Sequence, residues 1–149
     1  MNGRAFKLGT YAKSDGKPFA AIVLDDTAIP LADAAKASGK SGLSSTASIR
    51  DLLDGWDKNF ATLQEIVAFL DKEKTKGTSV GSLTALPPVS HPGKMFYAAQ
   101  NFQEHVDEMI RAGMSPKEGP KFTGEKSTSA PYLFLKAPSC LAGANDDIP

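Results

Sequence analysis

Apolar positions along the chain change period from one stretch to the next, and the changes mark out its elements. "RAFKLGTYA" (4–12) and "PFAAIVLD" (18–25) are β-prone runs, joined by "KSDGK". Asp15-Gly16 suits a hairpin turn, because glycine tolerates the positive φ such turns require. "TAIPL" (27–31) follows Asp25-Asp26 as a third extended piece, and the alanine-rich 32–38 segment reads as a short helix ending near Gly39. "SGKSGLSST" is a flexible loop. Ser48 then caps "IRDLLDG", with Asp51 at the third helical position, the arrangement of a capping box. In "NFATLQEIVAFLDKEKTKG" the apolar residues Phe60, Leu63, Ile66, Val67 and Leu70 share one helical face, and Gly77 is the expected stop.

The pattern breaks at "LTALPPVSHPGK". Pro87, Pro88 and Pro92 impose an extended path that neither a helix nor a central strand accommodates. The chain therefore divides into an N-terminal α+β domain, 1–86, a Pro-rich linker, 87–93, and a second domain, 94–149. In the second domain "KMFYAA" reads as a strand, Asn101 to about Ala112 as a helix, and "YLFLK" as another strand. Asn101 is the expected helix cap, with Glu104 as its capping-box partner. Residues 113–130, "GMSPKEGPKFTGEKSTSA", resist regular structure, and a loop of this length is expected to act as a lid or to be disordered. Two strands and one helix are too little to close a core. "GANDDIP" reads as a turn leading into a further strand, so a longer protein, or a partner segment on another chain, is expected.

Composition removes several function classes. Lys+Arg and Asp+Glu are 17 each in 149 residues, a formal charge of zero. A nucleic-acid or anionic-membrane partner would call for a basic excess. No apolar run approaches the roughly 18 residues of a membrane span, and "MNGRAFKLGTY" has no signal-peptide core. The single cysteine, Cys140, allows no internal disulfide, and a cytoplasmic setting is the expectation.

Candidate chemistry gathers in "FYAAQNFQEHVDEM", 96–109. Helical geometry puts Phe102, Val106, Met109 and Ile110 on one face, with His105 at its border and Glu108 one turn on. A carboxylate beside an imidazole fixes its tautomer and raises its basicity, as deprotonation of a water requires. The same spacing also describes an ordinary surface pair. His91, in the linker, reads as solvated. Cys140 reads as a small buried hydrophobe, and Asp146 and Asp147 as solvated turn carboxylates. Lys136, ending the apolar "YLFLK", either snorkels or faces an anionic ligand.

"KMFYAAQNFQEHVDEM" followed by "PYLFLKAPSCLAGANDDIP" resembles the fumarylacetoacetate hydrolase family. Its members show a strand, a G-x-N-Y-x-x-H-x-x-E turn and helix, an F-L-K-P-x-S strand and a G-x-x-D-x-I turn, in that order. The close resemblance covers 94–149, with 113–130 as an insertion, and extends more loosely to the hairpin "FAAIVLDDTAIPLADA". It implies a mixed β-roll or barrel for the second domain. It also implies a hydrolase or lyase acting on a 2-oxo acid or β-diketo acid, by acylpyruvate-type C–C cleavage. Decarboxylation, isomerisation and a catalytically silent interaction module are the alternatives. By the same resemblance His105 is the water-activating base and Glu108 its partner, while Lys136 and Gln100 bind substrate. The implied cofactor is Mg²⁺, or Mn²⁺ or Ca²⁺, acting as a Lewis acid. Its ligands are expected beyond residue 149, and no metal residue is assigned within the chain. A homodimer, or association with the remaining C-terminal segment, is the implied assembly. Ala99 and Gln100 stand where the family has Gly and Arg, Phe102 where it has Tyr, and Ala137 where it has the first proline of its strand motif.

Overall fold

The computed structural model describes residues 3–40, 42–43, 47–99, 102–114 and 133–147; Gln100, Asn101 and nearly all of the 113–130 segment lie outside them. The protein is of mixed α+β class and divides into two compact units, residues 1–92 with 141–149, and residues 93–140.

The first unit is built on an antiparallel sheet. Its strands are β1 (Lys7–Ala12), β2 (Pro18–Leu24), β3 (Thr27–Pro30), β4 (Thr78–Ser79) and β5 (Thr84–Leu86), in the order β4-β3-β2-β1-β5. The β1–β2 register pairs Leu8 with Ile22 and Thr10 with Ala20. A five-residue loop closes that hairpin, with Gly16 at φ 71 and its N–H donated to the Lys13 carbonyl. Asp25-Asp26 turn β2 into β3, and Asp25 takes the left-handed conformation (φ 52) that a short carboxylate tolerates better than most side chains.

Three helices cover the sheet: α1 (Leu31–Ala37), α2 (Ile49–Asp54) and α3 (Trp56–Lys72). Ile22 and Leu24 share one core with Leu31, Leu52, Leu63, Ile66 and Leu70. Ala21, Val23 and Ala28 form a second cluster against Tyr11, Phe19, Val80 and Leu83. Alternate residues of β2 thus enter different clusters, which accounts for its unbroken apolar run. The α2 cap is as expected: Ser48 accepts from the Asp51 N–H while Asp51 accepts from the Ser48 N–H. Asn59 reaches back to donate to the Leu52 carbonyl at 2.9 Å, satisfying the far end of the same helix.

Helix α3 corrects one expectation. It stops at Lys72, five residues before Gly77, and Lys74 takes the left-handed position (φ 46) after the cap. The Lys74 and Thr75 N–H groups donate back to Asp71 and Leu70, a Schellman closure achieved without glycine. Gly77 has a different task. A Cβ there would come within 2.5 Å of the Ala28 carbonyl oxygen, so its bare Cα lets the chain approach β3 and start β4. Strands β4 and β5 are themselves additions to the sequence reading. At two and three residues they are too short to display a period.

The second unit contains the two-stranded antiparallel pair β6 (Phe96–Ala98) and β7 (Leu133–Leu135), and helix α4 (Gln103–Arg111). Tyr97 lies opposite Phe134 and stacks on it, centroids 5.4 Å apart. Helix α4 begins one residue later than expected. Phe102 occupies the cap position in extended geometry with no side-chain hydrogen bond, so Glu104 falls at the second helical position and forms no capping box with the residue before the helix. Its C-terminus closes on Gly113 at φ 67, with Gly113 and Met114 donating to Ile110 and Met109.

Candidate functional site

Helix α4 carries the His105–Glu108 pair. At i,i+3 the two side chains lean the same way, and His105 Nδ1 stands 3.8 Å from Glu108 Oε2. That is an ion-pair separation, longer than a hydrogen bond. Both groups face solvent, with side-chain exposures of 58% and 67%. Of the stripe beside them, Val106 is buried, whereas Phe102 and Ile110 are exposed. On the polar flank Gln103 donates to Asp107 Oδ1 at 2.9 Å, so Asp107 is engaged within the helix and Glu108 is the carboxylate facing the imidazole.

Lys136 follows β7 directly. Its backbone N–H donates to the Met95 carbonyl, extending the strand pairing by one rung. Its ammonium lies over the Tyr97 ring, 4.9 Å from the centroid. At an exposed position such a contact contributes about 0.5–1 kcal/mol, enough to bias the side chain without locking it. Among the described residues no hydrogen bond or ion pair joins Lys136 to His105 or Glu108. Gln100, the other residue implied in substrate binding, lies outside the described residues, as does the proposed cap Asn101.

The remaining candidates separate. Cys140 is exposed, correcting the expectation of a buried hydrophobe: it sits in a 3₁₀ turn, Pro138–Cys140, whose three residues are all exposed. Asp146 accepts the Gly143 N–H at 2.6 Å and so closes a turn, while Asp147 is exposed, as expected of turn carboxylates. The His91 side chain is exposed, but its carbonyl accepts from Arg50 Nη1 at 2.9 Å. Among the described residues no three His, Cys, Asp or Glu side chains stand together as a metal site, and no helix is long and apolar enough to cross a membrane.

One feature escaped the sequence reading. A cavity of about 490 Å³ opens in the first unit, between the β1–β2 end of the sheet and α2, with Arg50 and His91 at its edge. Its sequence signal is the pairing of small residues, Thr10 with Ala20, where the next pair on the same face is Leu8 with Ile22. That signal appears only once the register is known.

No family model, no curated protein and no solved structure matches the chain.

Proposed function

We propose that the protein is a hydrolase or lyase of 2-oxo acids or β-diketo acids, acting by acylpyruvate-type C–C cleavage, with His105 as the base. The observation that carries the reading is the placement of Glu108 Oε2 on the Nδ1 side of His105, 3.8 Å away, on the helix that follows β6. The order of motif residues along 94–149 supports it.

The carboxylate favours a proton on Nδ1 and leaves Nε2 with its lone pair outward. In the proposed reaction Nε2 takes a proton from water, and the hydroxide adds to the carbonyl carbon of the acyl group. The bond to the neighbouring carbon then breaks. Its electron pair leaves as the enolate of the oxo acid, and the imidazolium returns its proton to that carbon. Lys136 provides a cation for the substrate's carboxylate, and Tyr97 beneath it keeps the ammonium near one place. A divalent cation belongs to this proposal as the group that steadies the enolate. The described residues do not offer a three-ligand set for it, and none of the proton transfers above is routed through it. A homodimer is the proposed assembly.

The exposure of both members of the pair favours a second reading, a family-like module in which His105 and Glu108 are a surface pair with no turnover. Hydrolysis of acetylpyruvate, followed by loss of its enol absorbance with Mg²⁺ present, separates the two. His105→Ala is expected to lower turnover by about 10²–10⁴-fold, the usual loss when a general base is removed. Turnover unchanged by the substitution would leave the silent module standing.

A further inference from the structure

The cavity of the first unit lies far from any chemistry assigned above in the sequence, and its lining has a consistent logic. Its floor is apolar. Thr10 and Ala20 face each other across the β1–β2 register, on the face that Leu8 and Ile22 fill two residues along. Beside this small pair about 490 Å³ opens, lined also by Leu31 and Ile49. Pockets that take small molecules run to roughly 300–1,000 Å³, mostly apolar with a few convergent polar groups.

The polar groups at the rim are mostly committed. Thr10 donates its hydroxyl proton to the Pro88 carbonyl at 2.8 Å. The Ser48 hydroxyl is used by the capping box, and Ser90 donates to the Pro87 carbonyl. Arg50 is different. One N–H of Nη1 goes to the His91 carbonyl at 2.9 Å, and Asp54 stands 4.0 Å from Nε, at the limit of an ion pair. Among the described residues nothing is bonded to Nη2, and a guanidinium carries five donors. The bond to His91 orients the group, whose side chain is 49% exposed, while leaving much of its fork open. An oriented, half-used guanidinium at the edge of an apolar lining selects a planar anion on an apolar body.

We propose that this cavity binds a small monocarboxylate with an aromatic or branched apolar body, the carboxylate on Arg50 and the body over Leu31 and Ile49. The site is independent of the His105 reading and stands or falls without it.

The test uses the 149-residue chain with 3-phenylpropionate and its neutral analogue 3-phenylpropanamide, titrated by amide-resolved NMR. The carboxylate should shift the amides of Thr10, Ala20, Leu31 and Ile49 in a saturable way, with the amide analogue at least about tenfold weaker, the scale of one lost charge-assisted bond. Arg50→Gln should bring the carboxylate down to the level of the analogue while Tm and the Ile22 and Leu63 signals stay in place. Equal binding of acid and amide would overturn the proposal and leave an unselective apolar gap. So would absence of saturable shifts, or a concentration-dependent dimer that buries these same residues. The comparison of acid with amide is made on the unaltered chain, so it holds whether or not the Arg50 variant folds.

Discussion

The two units of this protein spend their apolar residues differently. In the first, β2 feeds clusters from alternate positions, and Leu52, Leu63, Ile66 and Leu70 are closed off from solvent. In the second, Val106 is the buried hydrophobe among the described residues, while Phe96 and Leu135 keep 62% and 67% of their surface exposed. An isolated two-stranded pair is marginal in water, since it has no layer to bury a face against. The contrast teaches that an amphipathic pattern specifies an element, whereas stability comes from the surface that answers it. Helix α4 has a regular apolar stripe and a complete C-terminal closure, yet Phe102 and Ile110 of that stripe stay exposed.

The contrast is broken or sharpened most strongly by truncating one leucine in each unit. Leu63→Ala removes a fully buried side chain and should cost about 2–5 kcal/mol by lost burial plus the cavity left behind. Leu135→Ala, half or more exposed already, should stay within about 0.5 kcal/mol. Urea unfolding followed by Trp56 fluorescence reads the first, and far-ultraviolet dichroism on the same samples covers the second. Comparable losses from both would mean that the second unit has a core of its own.

A smaller effect is expected at the sheet edge. Gly77→Ala would bring a methyl within 2.5 Å of the Ala28 carbonyl, with Thr27 and Ile29 side chains also closer than 3 Å. Backbone is on one side, so β4 must shift. Overpacking of this kind costs about 1–3 kcal/mol, and the midpoint of urea unfolding should fall accordingly. Gly113→Ala makes a useful contrast, since none of the described residues lies within 4 Å of its added Cβ and the penalty expected is that of its positive φ.

How much of this was legible in the sequence follows from how local each signal is. The α2 cap was readable because Ser48 and Asp51 satisfy each other within four residues. The buried face of α3 was readable because Leu63, Ile66, Val67 and Leu70 repeat at helical spacing. Phe60, on the same stripe, remains partly exposed and instead stacks between Phe6 and Trp56, a contact no periodicity encodes. The function of Gly77 depends on a strand almost fifty residues earlier, and the left-handed Lys74 has no compositional mark at all. At the candidate site, the His105–Glu108 adjacency is a property of one helix and was visible. The placement of Lys136 over Tyr97 needed the β6–β7 register. The cavity beside Arg50 needed five separate segments to be brought together.

The capping box gives a modest effect and the clearest dependence on pH. Ser48→Ala should cost about 1 kcal/mol, the usual loss of an N-cap side chain. Asp51 is held below its ordinary 3.8 first by the Ser48 backbone N–H and then by the Ser48 hydroxyl. A carboxyl whose folded pKa is lowered stabilises the fold above 3.8 and loses that contribution as pH falls through the folded value. Asp51→Asn should therefore flatten part of the acid limb of a Tm-versus-pH curve. Ser48→Ala should flatten it less, because the backbone donor remains. A side-chain carboxyl titration by NMR that places Asp51 at or above 3.8 would contradict the assignment.

The difference between a packed unit and an exposed one is read most directly by amide hydrogen exchange along the whole chain. Backbone protection reports the free energy of opening residue by residue, from near zero at frayed segments to the global value in a core. The amides of Ile22, Leu63, Ile66 and Leu70 should exchange only through global unfolding. Those of Phe96 to Ala98 and Leu133 to Leu135 should exchange at least about a hundredfold faster, through opening of the strand pair alone. Equal protection in the two sets would contradict the account, since it would require a layer over β6 and β7 that the described residues do not provide.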